Sequence, residues 1–263
     1  MDLGILGKSA LVAASSKGLG KAAALSLSQE GVHVTICARD AEQIKATVEE
    51  IRGITNGKVH GVVCDLMDAA SIKNAFSSAK DAHGAVDILV VNAGGPPVLP
   101  MDDLTDEHWM GAYELTHLSA VRLIRAALPH MRDENWGRII AIESSSVKQP
   151  VEGLHLSNGV RAGVAGFFKS ICGELAKNGI TINTVLPGVF LTDRIINNQT
   201  ELAKKLNTTL EVRLDMLKSI IPLGRFGEPQ ELGDMITFLA SERSAFVTGS
   251  VVQVDGGLIR SVV

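Results

Sequence analysis

The stretch Ala13-Ala14-Ser15-Ser16-Lys17-Gly18-Leu19-Gly20 decides the fold. It follows an apolar run at 9–13 and opens a helical pattern at 18–30. Glycines such as Gly18 and Gly20 let backbone approach a bound diphosphate closely. The helix N-terminus behind them offers free N–H groups and a positive dipole end. A strand before the turn and a helix after it give the glycines a meaning they lack alone. Ala14 puts a methyl at the tight part of the turn, which is tolerable only if φ there is negative.

Outward from that turn the same rhythm repeats. Apolar runs of strand length fall at 9–13, 33–38, 58–63, 87–91, 137–142, 180–186 and 250–254. They lack strict alternation, as strands buried on both faces do. Helical patterns fall between them at about 18–30, 41–52, 68–82, 105–131, 154–177 and 228–240. Repeated βα units predict a doubly wound parallel sheet of Rossmann type in a three-layer α/β/α sandwich. The chain has 263 residues, of which 46% are hydrophobic and 21% charged, enough to bury one core. The expectation is therefore a single domain over 1–263. Only 188–227 departs from the rhythm. Within it Leu202, Leu206, Leu210, Leu214 and Leu217 form one helical stripe.

A net charge of −4 argues against a general nucleic-acid or anionic-membrane surface. No apolar run reaches the ~18 residues of a membrane span, and the first eight residues lack the apolar core of a signal peptide. Cys37, Cys64 and Cys172 are an odd, scattered set. The first two fall at strand ends and read as small buried hydrophobes, which fits a reducing cytoplasm. The seven histidines are dispersed without metal-ligand spacing, so no metal is expected.

These features together resemble the short-chain dehydrogenase/reductase family, over nearly the whole chain from Lys8 to Gly257. The family's Thr-Gly-x-x-x-Gly-x-Gly turn is matched at Gly18 and Gly20, with Ala13 and Ala14 in place of its Thr and first Gly. The resemblance assigns residues 14–20 (Ala14, Ser15, Ser16, Lys17, Gly18, Leu19, Gly20) to a dinucleotide. It also assigns Asp65 and Leu66 to the adenine, Asn92-Ala93-Gly94 to the floor of the cofactor site, and Pro187-Gly188-Val189 with Thr192 to the nicotinamide. Asp65 also reads as a helix N-cap, a role open equally to Asp68. The second strand ends on Ala38-Arg39, where an acidic residue would hold the ribose of NAD. Basic residues at Lys17 and Arg39 mark a 2′-phosphate pocket in this family, so the expected cofactor is NADP. Pro222 to Pro229 and Val254-Asp255-Gly256-Gly257 resemble the branch of β-ketoacyl-carrier-protein reductases, which implies a small-molecule or acyl-thioester substrate.

The reaction centre departs from that pattern. Ser144 stands where the family keeps its catalytic Ser at the end of a strand. Thirteen residues on, Ser157 replaces a Tyr. Four further on, Arg161 replaces a Lys, and Thr116, seven after Trp109, replaces an Asn. Arg161 retains a positive charge for ribose hydroxyls, but a serine is a far weaker acid than a phenol and reaches less far. His155 is the nearby group that titrates near neutrality, with Glu143 and Glu152 as further candidates. Three readings follow: an NADP(H)-dependent carbonyl/alcohol oxidoreductase with a rebuilt acid, a catalytically silent nucleotide-binding protein, and a serine hydrolase. The last lacks Gly-x-Ser-x-Gly at either serine. The 105–131 and 154–177 helices are apolar nearly all round, and Gly159, Gly163 and Gly166 permit close packing. In the family these helices build a dimer interface, so a homo-oligomer, a tetramer, is expected. The family's substrate lid corresponds to 188–227.

Overall fold

The computed structural model describes residues 1–55 and 57–261. Seven strands form one parallel sheet in the order β3-β2-β1-β4-β5-β6-β7. They are β1 Ser9–Val12, β2 His33–Ala38, β3 Val59–Val63, β4 Ile88–Val91, β5 Gly137–Ile142, β6 Ile180–Pro187 and β7 Val251–Val254. The order reverses between β1 and β4. In open α/β sheets such a switch point opens a crevice at the carboxyl ends of the strands.

The period of two along each strand sorts its residues into two cores. Ala10 and Val12, Ile88 and Val90, and Ile140 and Ile142 share one core with Leu27, Leu232 and Ile236. Leu11, Leu89, Val91, Ile139 and Ala141 share the other with Leu123, Ile124, Val164 and Phe168. The first is covered by the helices α1 Gly18–Gln29, α2 Ala41–Ile54 and α9 Pro229–Leu239. The second is covered by α3 Ala69–His83, α5 Ser119–Asp133 and α6 His155–Ala176. Two covered faces explain why the strands show no polar alternation.

Several expectations are corrected. The pattern at 105–131 is not one helix: α4 Asp106–Tyr113 passes into a π-turn, Glu114–Leu118, before α5 begins. The widened turn leaves the apolar period nearly intact, so the sequence hides it. The leucine stripe is likewise broken. α7 Asp193–Lys205 and α8 Leu210–Ser219 are separate helices, Asn207 between them has φ +50, and Leu206 is 57% exposed. Asp68 rather than Asp65 caps α3, accepting a hydrogen bond from the Ala70 N–H. Asp65 instead accepts from the Met67 N–H. The histidines are dispersed only in sequence: the rings of His33 and His60 lie 5.7 and 6.2 Å from that of His83.

Candidate active site

The phosphate turn is fixed by Ser15 and Asn92. Ser15 donates its hydroxyl to the Val12 carbonyl at 2.6 Å and accepts from the Cys37 N–H at 3.1 Å, tying the end of β1 to β2. Asn92, one residue past β4, donates to the Ala14 carbonyl at 3.1 Å. The expectation for Ala14 fails: its φ is +46. A left-handed alanine costs about 1 kcal/mol, and the two flanking anchors hold it there. Gly20 is required for steric reasons, because a Cβ would come within 2.6 Å of the Ala14 carbonyl and 2.8 Å of the Asn92 amide. The Asn92-Ala93-Gly94 loop and the phosphate turn are thus one packed unit.

The same turn is built to receive an anion. Lys17 occupies the N-cap of α1 without any side-chain cap, so the first N–H groups of that helix lack a partner from the cap. Lys17 and Arg39 are both exposed, and neither side chain has a hydrogen bond or ion pair among the described residues. Asp40 is engaged elsewhere, capping α2 through the Gln43 N–H. A dinucleotide phosphate fits this set of donors, and Asp65 and Leu66, just past β3, lie at the neighbouring strand end.

At the other end of the crevice α6 meets β5. Gly159 packs against the Trp109 ring and Gly163 against His117, which brings α6 close to α4 and the π-turn. Gly166 meets nothing within 4 Å in this chain. Arg161 is 6% exposed and Glu143 7%. Their side chains pair at 2.8 Å. The guanidinium also points to the carbonyls of Ile142 and Gly94 at 3.5 and 3.4 Å. Burial pushes the Glu143 carboxyl up, while the charge and hydrogen bond of Arg161 pull it back. Ser157 lies one turn before Arg161 on the same face of α6. Ser144 directly follows Glu143 and accepts from the Ser146 N–H at 3.1 Å. His155, the first residue of α6, is two positions from Ser157, a spacing that does not share a face. Thr116 sits in the π-turn, 2% exposed, with its hydroxyl unpartnered by protein. A buried hydroxyl in that state calls for a water.

The 188–227 segment leaves and rejoins the body at one clamp. Phe190 bridges Gly227, the Gly227 N–H donates to the Val189 carbonyl at 3.0 Å, and the Leu191 N–H donates to Gly227 at 3.1 Å. Gly188 packs against the backbone of Asp255, so the Pro187-Gly188 and Asp255-Gly256 sequences meet in space. Thr192 caps α7 by position only, and its methyl faces Gly18 of the phosphate turn. Two residues on, Arg194 crosses to the opposite wall, where its guanidinium lies against Gly95. Sequence reasoning missed Arg194. The signal was a cation two places after Thr192, facing a loop whose Gly95 has no side chain to exclude it.

A family model described as enoyl-(acyl carrier protein) reductase matches residues 13–259. The chain belongs to the short-chain dehydrogenase/reductase family. It is 36% identical over 251 residues to a putative ketoacyl reductase of monensin polyketide synthase from Streptomyces virginiae, covering 95% of this chain and 96% of that one. Its structure resembles that of L-sorbose reductase from Gluconobacter frateurii, complexed with NADPH and L-sorbose. The TM-score is 0.95 at 32% identity, with all of both chains covered. It also resembles an NADPH-bound short-chain oxidoreductase from Pseudomonas aeruginosa described as containing an atypical catalytic center, with TM-score 0.88 at 31% identity, covering 98% of this chain and 99% of that one.

In this short-chain dehydrogenase/reductase the buried charges of Arg161 and Glu143 compensate each other. An arginine at 161 needs more than the carbonyls of Ile142 and Gly94 to bury its charge, and Glu143 supplies the carboxylate. The cation is thereby held on α6 beside the end of β5.

Proposed function

We propose that this protein reduces the carbonyl of a small molecule with NADPH, using a reaction centre rebuilt around Ser144, Ser157 and the Glu143–Arg161 pair. The observation that carries the reading is the uncapped N-terminus of α1 flanked by two unpartnered cations, Lys17 and Arg39, at the open end of the sheet. NADPH held in this crevice would supply the hydride that reduces the carbonyl carbon, being oxidised to NADP⁺. The carbonyl oxygen takes one proton from water, giving the alcohol. The Ser144 and Ser157 hydroxyls donate to that oxygen as it gains charge. Arg161 holds the nicotinamide ribose hydroxyls, Glu143 fixes Arg161, and Thr116 holds a water on the proton's route. The Val189 backbone and Thr192 hydroxyl serve the carboxamide, and Asp65 and Leu66 the adenine. The 188–227 segment, hinged at Phe190 and Gly227, is the substrate lid. Relatives named as ketoacyl reductases make β-ketoacyl thioesters one substrate class to assay.

The test is NADPH oxidation against a panel of ketones, oxo acids and ketoacyl thioesters, with cofactor affinity measured in parallel by fluorescence. Binding without turnover of any carbonyl would establish the silent binder instead. Arg39→Ala should weaken NADPH about tenfold or more, since one charge-assisted hydrogen bond contributes about 1.5–3 kcal/mol, and leave NADH nearly unchanged. Equal affinity of the parent protein for both cofactors would sink the assignment of Lys17 and Arg39.

The assembly expected is a tetramer, because two separate apolar surfaces stay open. One carries Met110, Tyr113, Phe167 and Ile171 on α4 and α6, beside the vacant flank of Gly166. The other is the edge strand β7 with a cavity of about 550 Å³ beside it, lined in part by Ile221, Leu223 and Val254. Two distinct self-complementary surfaces generate a closed dihedral tetramer. Light scattering at micromolar concentration should give four times 27.8 kDa, and a monomer would refute the reading. Cytoplasmic residence is the proposal that suits the free, buried thiols of Cys37 and Cys64.

A further inference from the structure

The charges in the crevice do not balance. Glu143 neutralises Arg161 within the buried pair. Arg194 stands near that pair, its guanidinium against Gly95 while Arg161 reaches the Gly94 carbonyl, and it has no carboxylate partner among the described residues. Asp193, its chain neighbour, is exposed and makes no ion pair with it. Burial and the nearby Arg161 both lower the Arg194 pKa from the ordinary arginine range. The residue is nevertheless exposed, so a ligand entering the crevice can reach it. A cation held in this way gains from any anion placed between the lid and the Gly95 loop.

The helix decides which anion. Thr192 faces Gly18, the diphosphate end. Arg194 is two residues further along the first turn of α7, and residues i and i+2 do not share a face. Its guanidinium accordingly reaches away from the phosphate turn, to Gly95, next to the Gly94 carbonyl that faces Arg161. A planar guanidinium offers paired donors that match a carboxylate.

We propose that Arg194 is the specificity-determining residue of this site and binds the carboxylate of an acidic substrate, so that the carbonyl reduced is that of a small oxo acid. This rests on the reading of the crevice as a carbonyl-reducing site, but its test does not need turnover. The NADP⁺ complex is titrated calorimetrically with 2-oxobutanoate, 3-oxobutanoate and 4-oxopentanoate, and with the neutral amide of each. At least one acid should bind about tenfold or more tighter than its amide. Arg194→Met should remove about tenfold of that preference with little change in the amide. The affinity of Arg194→Met for NADPH, measured separately, should match that of the parent.

Failure of all three acids to bind, or equal binding of acid and amide, overturns the proposal. So does loss of NADPH affinity in Arg194→Met, which would assign the guanidinium to the cofactor's phosphates. A preference for acids without turnover leaves the anion site standing and removes the reductase reading, so the two failures are distinct.

Discussion

Arg161→Met should cost about 3–5 kcal/mol, the penalty for leaving one member of a buried ion pair without the other. Glu143 would remain behind, 7% exposed, with no cation to meet it. In a domain whose total stability is about 5–15 kcal/mol this is a large fraction, and it corresponds to a fall in Tm of roughly 10 °C. Urea denaturation at neutral pH measures it. The effect should also depend on pH with a definite sign. Burial already raises the Glu143 pKa above its ordinary 4.5, and removing Arg161 takes away the group that pulls it back. A folded-state pKa raised above the unfolded one gives stability that is fully present below the unfolded value. It is lost as pH rises through the folded value. The gap between parent and variant should therefore be narrower at pH 5 than at pH 8. Glu143→Gln combined with Arg161→Met should recover much of the loss. A variant as stable as the parent at pH 8 would mean that the pair contributes nothing to the fold.

That pair also marks how far the sequence could be read. Arg161 was visible as a departure from a family pattern, and Glu143 only as a further candidate acid. Their compensation was not, since it depends on how the second turn of α6 meets the residue after β5. The βα rhythm was legible because both faces of the sheet are covered and each strand is continuously apolar. The span 137–142 matched β5 at both ends. The π-turn at Glu114–Leu118 was not legible, because one added residue per turn barely disturbs a helical period. Ala14 was misjudged for a related reason: local sterics favour a negative φ, and the bonds from Asn92 and Ser15 that hold φ at +46 come from remote strands or the turn itself. Arg194 was invisible because its meaning depends on Gly95, almost a hundred residues earlier. The expected phosphate turn is contiguous in sequence, whereas Ser144, Ser157, Arg161 and Thr116 come from the end of β5, from α6 and from the π-turn.

Placing a phenol and an ammonium on α6 should have the largest catalytic effect. Ser157→Tyr with Arg161→Lys would place a phenol one helical turn from an ammonium on one face of α6. General acid catalysis contributes about 10²- to 10⁴-fold, so kcat on a simple ketone or oxo acid should rise toward that range from a slow parent rate. The ammonium would also find Glu143 within reach, since the carboxylate now accepts from Arg161 at 2.8 Å. The fold should therefore tolerate Lys far better than Met at this position, and a Tm close to the parent's is the control. Part of the new lysine's charge would be held by Glu143 and withheld from the phenol. Full recovery consequently needs Glu143→Ser as a third change. Thr116, without an amide, would still limit the proton supply. Stopped-flow single turnovers with NADPH separate chemistry from product release. If the double variant binds NADPH, keeps its Tm and shows no faster hydride step than the parent, then the phenol is not aimed at the carbonyl. The face of α6 that carries positions 157 and 161 would not then be the reacting face. If the parent is already fast, water on the Thr116 route supplies the proton without a phenol, and Thr116→Val, which removes the hydroxyl holding that water, should then slow the step.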